Sequence, residues 1–409
     1  MNFPSVKEQL DIIQQHTVDL LPIEELEQKI QRSYNKKQPL VIKLGCDPSR
    51  PDLHLGHAVV LSKLRQFQDL GHTATLIIGD FTGIIGDPTG KSKTRPVLTL
   101  EESKENGRSY FEQASKILNP NTVKILYNSD WLSNLHFEDV IHLSSKYTVA
   151  QMLERDDFSK RYKSGEPISL HEFLYPLAQA MDSVHINSDV EIGGTDQKFN
   201  LLVGREVQRA YGLEPQCILT LPILEGTDGV EKMSKSLDNY IGLSDTPREM
   251  FGKTMSIPDA LIGRYYSLAL FTPQHEVDTI EEGLKNGELH PRNCKVTLAK
   301  NIVARYHSIE AGDEAFAEFE RIFVKKDIPD QIDLMMVSGP DAKSQLPIVD
   351  LLVLTSLAES KSEARRLIQQ GGVSLDGEKI TDPAMLTDIT NERLLKVGKR
   401  KFLKVQYES

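Results

Sequence analysis

Apolar residues recur along this chain in two rhythms. Short apolar-rich runs fall at 40–44, 74–79, 123–127, 184–192 and 218–224, most of them bounded by Gly, Pro, Asp or Asn. Such runs read as buried strands. Between them, apolar positions return every three or four residues, the helical period. Leu20, Ile23, Leu26 and Ile30 do so within 5–36, and Val60, Leu64 and Phe67 within 56–71. Similar patterns cover 100–118, 135–160, 170–181 and the stretch running to Tyr211 and Gly212. Strands alternating with helices predict an α/β fold with a Rossmann-like parallel sheet. Residues 245–325 keep only the helical period and predict a small helical domain. Residues 326–345, with Pro, Gly and Asp, read as a linker. Residues 346–409 give two helical patterns and then VSLDGEKI, a hairpin turning at Asp376-Gly377, so a small α+β unit closes the chain. The expected domains are 1–240, 241–328, a linker at 329–345, and 346–409.

The stretch 39–71 is the centre of this organisation. Its strand breaks at Gly45, Pro48, Ser49, Pro51 and Asp52, and a helix starts near Gly56 between His54 and His57. A helix N-terminus offers free N–H groups and a positive dipole end, both suited to phosphate. Gly56 lets a ligand approach the backbone. Two imidazoles can donate to phosphoryl oxygens as charge builds. Taken alone, HxGH reads more readily as two ordinary histidines at a turn.

Further candidates follow in order. The loop 79–96 resembles a P-loop at Gly90-Lys91-Ser92, but residue 85 is Ile85 where that motif needs glycine. The loop can still present Asp87, Lys91 and Arg95. In the helix after 170, Tyr175, Gln179 and Asp182 share one face at i, i+4 and i+7. Gly193-Gly194 opens the next helix, with Asp196 and Gln197 in its first turn. After the last strand comes Lys232-Met233-Ser234-Lys235-Ser236, two point charges and two hydroxyls suited to phosphate.

Composition narrows the class. The net charge of −11 argues against coating nucleic acid non-specifically. The charge is uneven: residues 346–409 hold ten Lys or Arg and nine Asp or Glu, net +1, which leaves −12 on the rest. Any RNA contact must then use local patches; Arg365 and Arg366 sit on the second helical pattern of the tail. The three cysteines, Cys46, Cys217 and Cys294, form no CxxC and no disulfide framework, so a reducing cytoplasm is expected. No apolar run is long enough to span a bilayer, and no membrane partner is expected.

HLGH at 54–57 and KMSKS at 232–236 resemble the two signatures of class I aminoacyl-tRNA synthetases. GDPTGK at 86–91, YPLAQAMD at 175–182 and GGTDQ at 193–197 narrow the resemblance to the tyrosyl-tRNA synthetases. Residues 346–409 resemble an RNA-binding module shared with a ribosomal small-subunit protein and pseudouridine synthases. The resemblance implies tyrosine, ATP and tRNA(Tyr) as substrates. It implies Mg²⁺ carried by ATP without a dedicated protein cage, and a homodimer. It implies that His54, His57, Lys232, Lys235, Lys91 and Arg95 handle the phosphates, with Ser49 where the family usually has threonine. Gly56 and Gly194 would allow close approach, and Asp196 would bind the ribose. Asp87, Tyr175 and Gln179 would hold the α-ammonium, Gln197 would lie near the carboxylate, and Asp182 would accept from the phenol. At Lys43 many family members carry a tyrosine that also contacts the substrate hydroxyl. Three rivals share parts of this pattern: a tryptophanyl enzyme, a small nucleotidyltransferase, and a non-catalytic RNA-binding scaffold.

Overall fold

A computed structural model describes residues 3–48, 52–88, 100–323, 332–337, 344–398 and 401–408. The chain divides into two compact units, Met1–Ile309 and Glu310–Ser409.

The first unit is built on six strands: β1 (Asp19–Leu21), β2 (Val41–Cys46), β3 (Thr73–Ile78), β4 (Lys124–Tyr127), β5 (Val190–Gly194) and β6 (Cys217–Leu221). Their order is β1-β6-β5-β2-β3-β4. β2 to β6 are parallel, and β1 joins the edge of β6 antiparallel. A parallel sheet covered on both faces needs nearly continuous apolar strands. Ile42, Leu44, Leu76, Ile77, Ile78, Ile192, Ile218 and Leu219 are accordingly buried. The chain leaves β2 for β3 and β4 on one side, then returns to the other side for β5 and β6. The crevice beyond the carboxyl ends of β2 and β5 is therefore the switch point where such sheets bind ligands.

Three helices aim side chains at that crevice. Leu55–Asp69 follows β2, Leu170–Ile186 precedes β5, and Lys198–Ala210 joins β5 to β6. Helices Pro247–Ser256, Ile262–Ala269, Gln274–Asn286 and Pro291–Tyr306 complete the unit. Arg305 ties them in, donating to Ser62 Oγ (2.7 Å) and to the Ala269 carbonyl (2.6 Å).

Four elements differ from expectation. Residues 5–36 form two helices, Val6–Gln14 and Ile23–Lys36, separated by β1, because the Val18 N–H pairs with the Thr220 carbonyl at 2.9 Å. The predicted helix over 135–160 is three pieces, Phe137–Ser144, Val149–Met152 and Asp156–Ser164. The helix predicted to stop at 181 runs on to Ile186, where Asn187 takes the left-handed cap (φ 50°), so β5 starts at Val190 instead of 184. Asparagine tolerates that cap. Within 326–345, the apolar run Leu334–Val337 is a strand paired parallel with Lys401–Tyr407.

The second unit opens with helix Ile309–Phe323. Its five-stranded sheet runs Glu378–Lys379, Val373–Leu375, Arg393–Val397, Lys401–Tyr407 and Leu334–Val337 in spatial order. Helices Ile348–Leu354 and Lys361–Gln369 pack on it through Ile348, Leu351, Leu352 and Ile368. The predicted hairpin forms. Asp376 (φ 49°) and Gly377 (φ 88°) both take positive φ, as a two-residue I′ turn requires.

Candidate active site

β2 ends beside Asp47 and β5 ends in Gly193-Gly194, so both open into the switch-point crevice. On one side lie the histidines. His54 is the N-cap of helix Leu55–Asp69, and its backbone N–H donates to His57 Nδ1 at 3.2 Å. The ring centroids are 3.9 Å apart. An Nδ1 that accepts leaves the proton on Nε2, so His57 presents a donor on its far side. Burial, and then the nearby Lys235 and Lys232 charges, push His57 down to about 4. Burial, His57 and the same lysines hold His54 well below the usual imidazole range. Both rings are neutral at pH 7.

The lysine loop reaches the same place through backbone pairing. Residues 224–226 and 231–233 form a short hairpin, with Met233 N–H on the Leu224 carbonyl (3.0 Å) and Gly226 N–H on that of Glu231 (2.9 Å). Buried Asn239 brackets the loop: its Oδ1 accepts from Ser234 N–H (2.7 Å) and its Nδ2 donates to Asp228 (2.6 Å). Just beyond, Leu55 N–H bonds the Ile241 carbonyl (3.0 Å) and Leu243 N–H that of Leu53 (2.9 Å). The segment after KMSKS is thus stitched to HLGH. A Cβ at Gly56 would lie 3.0 Å from the His54 ring and 3.7 Å from Met233 Cβ, so glycine also makes room for the loop. Lys235 pairs with Asp52, and Lys232 with Asp196 at 3.4 Å.

The opposite side is acidic and buried. Tyr175 donates to Asp47 Oδ2 (2.9 Å), and Thr82 to Asp47 Oδ1 (2.7 Å). Asp87 accepts from Gln197 Nε2 (2.7 Å) and from Arg155 (3.1 Å). Asn200 supports both donors, giving to Gln197 Oε1 (3.0 Å) and accepting from Arg155 (3.2 Å). Asp182 is buried, and its oxygens accept from Trp131 Nε1 (3.0 Å) and Asn128 Nδ2 (3.4 Å). Burial raises Asp182 to about 7, against the opposing pull of Lys43 and these two donors.

A family model described as tRNA synthetases class I (W and Y) matches residues 35–324, and an S4 domain model matches 346–388. The tyrosine–tRNA ligase of Chlorobaculum tepidum is 58% identical over 408 residues, covering 99% of this chain and 98% of that protein. The tyrosine–tRNA ligase of Thermotoga maritima is 54% identical over 399 residues, 98% of this chain and 97% of that one. The chain belongs to the tyrosine–tRNA ligases. A tyrosyl-tRNA synthetase from Archaeoglobus fulgidus, solved with L-tyrosine, covers 76% of this chain and 100% of its own at TM-score 0.61 and 24% identity, a likeness of fold.

In this tyrosine–tRNA ligase, His54, His57, Gly56, Lys232, Lys235 and Asp196 stand together on one side. Opposite stand Tyr175, Gln179 and Asp182 on helix Leu170–Ile186, Asp87 in the loop that follows β3, Gly194 at the end of β5 and Gln197 just beyond it. Ser49, Lys91 and Arg95 lie outside the described residues, and Arg365 and Arg366 lie exposed on a helix of the second unit. Sequence reasoning missed Asp47, Asn128, Trp131, Arg155, Glu191 and Asn239. Asp47 could have been found, since it is the first residue beyond the strand at the switch point. Arg155 could not: it acts across folds of the chain that share no pattern.

Proposed function

We propose a division of labour for the named side chains in tyrosine activation and transfer. The enzyme activates tyrosine with ATP and then charges tRNA(Tyr). The tyrosine carboxylate oxygen attacks the α-phosphorus in line, and the bond to the bridging oxygen breaks. Pyrophosphate leaves with that electron pair. Such a reaction needs positioning and positive charge more than a covalent nucleophile.

Asp87, Tyr175 and Gln179 hold the α-ammonium, with Arg155 and Asp47 fixing Asp87 and Tyr175. Gln197 sits beside the carboxylate, and Asp182 takes the phenol. His54 and His57 donate to the phosphate oxygens at the helix N-terminus, with Ser49 supporting them. Lys232 and Lys235 close over the departing pyrophosphate, joined by Lys91 and Arg95. Asp196 binds the ribose, and Gly56 and Gly194 admit the nucleotide backbone. Mg²⁺ bound to the triphosphate supplies further charge neutralisation. In the second step, a terminal adenosine hydroxyl of the tRNA attacks the tyrosyl carbonyl and AMP leaves. The observation that carries this reading is the backbone stitch between 53–55 and 241–243, which sets both basic signatures on one crevice.

Residues 1–240 carry the chemistry, 241–328 support the anticodon arm, 329–345 lead into the tail, and 346–409 bind tRNA through Arg365 and Arg366. Deleting 346–409 is expected to depress aminoacylation far more than tyrosine-dependent pyrophosphate exchange; equal losses would make the tail structural. The milder double variant Arg365→Ala/Arg366→Ala should weaken tRNA binding. It should also flatten the slope of log K against log salt by roughly one to two, about one per lost phosphate contact.

The enzyme works as a homodimer that one tRNA spans. Large apolar side chains lie open to solvent between 137 and 170: Phe137 (80%), Ile141, Val149, Tyr162 and Leu170 (83%). Contiguous exposed apolar surface marks association sites, and we place the association surface on this segment because such side chains recur along it. Leu170→Asp with Phe137→Asp is expected to convert a sedimenting dimer to monomer; an unchanged sedimentation coefficient would move the interface elsewhere. We assign the enzyme to the cytoplasm, in keeping with three free cysteines and no described helix long and apolar enough to cross a membrane.

A further inference from the structure

Beneath the acidic side of the crevice lies a fully buried ion pair, Lys43 of β2 and Glu191 of β5, at 2.8 Å. A buried pair is weak support for stability, because desolvation offsets most of the attraction. Its geometry points to another role. The Lys43 ammonium has three N–H donors. Three acceptors surround it: the Gln179 carbonyl (2.8 Å), Ser183 Oγ (2.7 Å) and Glu191 Oε1 (2.8 Å). No donor remains for a substrate hydroxyl, so Lys43 does not stand in for a phenol that touches the substrate.

Glu191 is equally full. Oε1 takes Lys43 and Gln179 Nε2 (3.1 Å), while Oε2 takes Ser183 Oγ (3.2 Å) and Gln216 Nε2. A carboxylate only accepts, so the end of the Gln179 amide that meets it must be the NH₂. The outward end is then Oε1, the acceptor an ammonium group needs. A neutral amide at 191 would impose no such choice.

We propose that the Lys43–Glu191 pair is a positioning device that locks the Gln179 amide with its oxygen toward the α-ammonium of tyrosine, an inference that rests on the role given to Gln179 above. Lys43 holds the backbone of Gln179 and neutralises Glu191; Glu191 selects the amide orientation. Neither residue touches substrate.

The test compares tyrosine with 3-(4-hydroxyphenyl)propanoate, which lacks the ammonium. Binding is followed by the fluorescence of Trp131, the chain's single tryptophan, bonded to Asp182. Glu191→Gln is expected to weaken tyrosine roughly tenfold, the loss of about one oriented hydrogen bond to a charged group, and to leave the analogue within about twofold. Equal weakening of both ligands, or of neither, overturns the proposal. Where Glu191→Gln alone fails to fold, Lys43→Met/Glu191→Gln removes both charges together and carries the same expectation. Gln179→Ala separates the two levels. A selective loss there without one in the Glu191 variant overturns only the locking role. No selective loss there overturns the reading of Gln179 and this proposal with it.

Discussion

Replacing His57 by alanine is expected to slow tyrosine-dependent pyrophosphate exchange by about 10²–10³-fold, the usual cost of one preorganised donor to developing charge. Tyrosine affinity should not change, because the role proposed for His57 is toward the phosphates and not toward tyrosine. The ring has two jobs that the alanine variant removes together. Nδ1 accepts the His54 N–H and so caps the helix, while in the role proposed for it Nε2–H donates to the reacting phosphates. Two further variants separate them. Asparagine can keep an acceptor near Nδ1 and loses the far donor, so His57→Asn should be as slow as alanine. Glutamine can place an amide N–H near the Nε2 position, so His57→Gln should recover part of the rate. Full activity in the asparagine variant would reduce His57 to a helix cap. The pH dependence carries a second check. Burial and two lysines hold His57 to about 4, so the ring gains its proton only as pH falls through that value. Exchange at saturating tyrosine should therefore show no histidine ionisation between pH 6 and 8. A limb near 6.5 that vanishes in the glutamine variant would contradict a neutral donor.

The sheet was legible in the sequence because its central parallel strands are buried on both faces, and apolar runs such as ATLII mark them. The strand β1 was not, since Asp19–Leu21 exists only by pairing with β6, about two hundred residues away. Helix Leu170–Ile186 was read too short because Val184 and Ile186 alternate with polar neighbours as a strand would; helical packing overrode that local pattern. The contrast is similar within the site. HLGH and KMSKS could be read because their chemistry is local: glycine beside histidine, lysine beside serine. The residues that hold these groups in place could not. Asn239 brackets the lysine loop, Trp131 and Asn128 grip Asp182, and Arg155 grips Asp87, each from a distant segment that has meaning only once the fold exists. Lys43 shows the limit most clearly. A lysine inside an apolar run looks like an interruption until Glu191 is seen beside it.

Asp182→Ala is expected to collapse the preference for tyrosine over phenylalanine. A site built to hydrogen-bond a substrate hydroxyl rejects the analogue lacking it by about 10⁴–10⁵, a range for which a tyrosyl enzyme is itself the standard case. The physical reason lies in burial. Asp182 is 2% exposed, so phenylalanine would leave a buried carboxylate short of a donor, whereas tyrosine supplies one. Without the carboxylate that penalty disappears, and the ratio of kcat/KM values should fall to the roughly tenfold range of a hydrophobic pocket. Alanine also strands the Trp131 N–H, at about 1–3 kcal/mol, whereas Asn128 Nδ2 loses only its longer contact and keeps its bond to Thr82 Oγ1 (3.0 Å). Thermal unfolding must therefore be measured alongside. Discrimination that survives in a folded variant would take Asp182 out of this role. Its ionisation gives an independent handle. The charged groups that bear on it are Lys43 from β2 and Glu191 from β5; Tyr175 on its own helix stays a neutral phenol, pushed well above its usual range by burial, and Asn128 and Trp131 contribute neutral donors. With Asp182 at about 7, the accepting carboxylate fills as pH rises through neutrality. For tyrosine, kcat/KM should climb about tenfold per unit below that value and level off above it. For phenylalanine, which has no phenol to give, the same limb should be absent, so selectivity erodes on the acid side. A selectivity flat from pH 6 to 8 would mean that Asp182 is already ionised throughout, with Lys43 prevailing over burial.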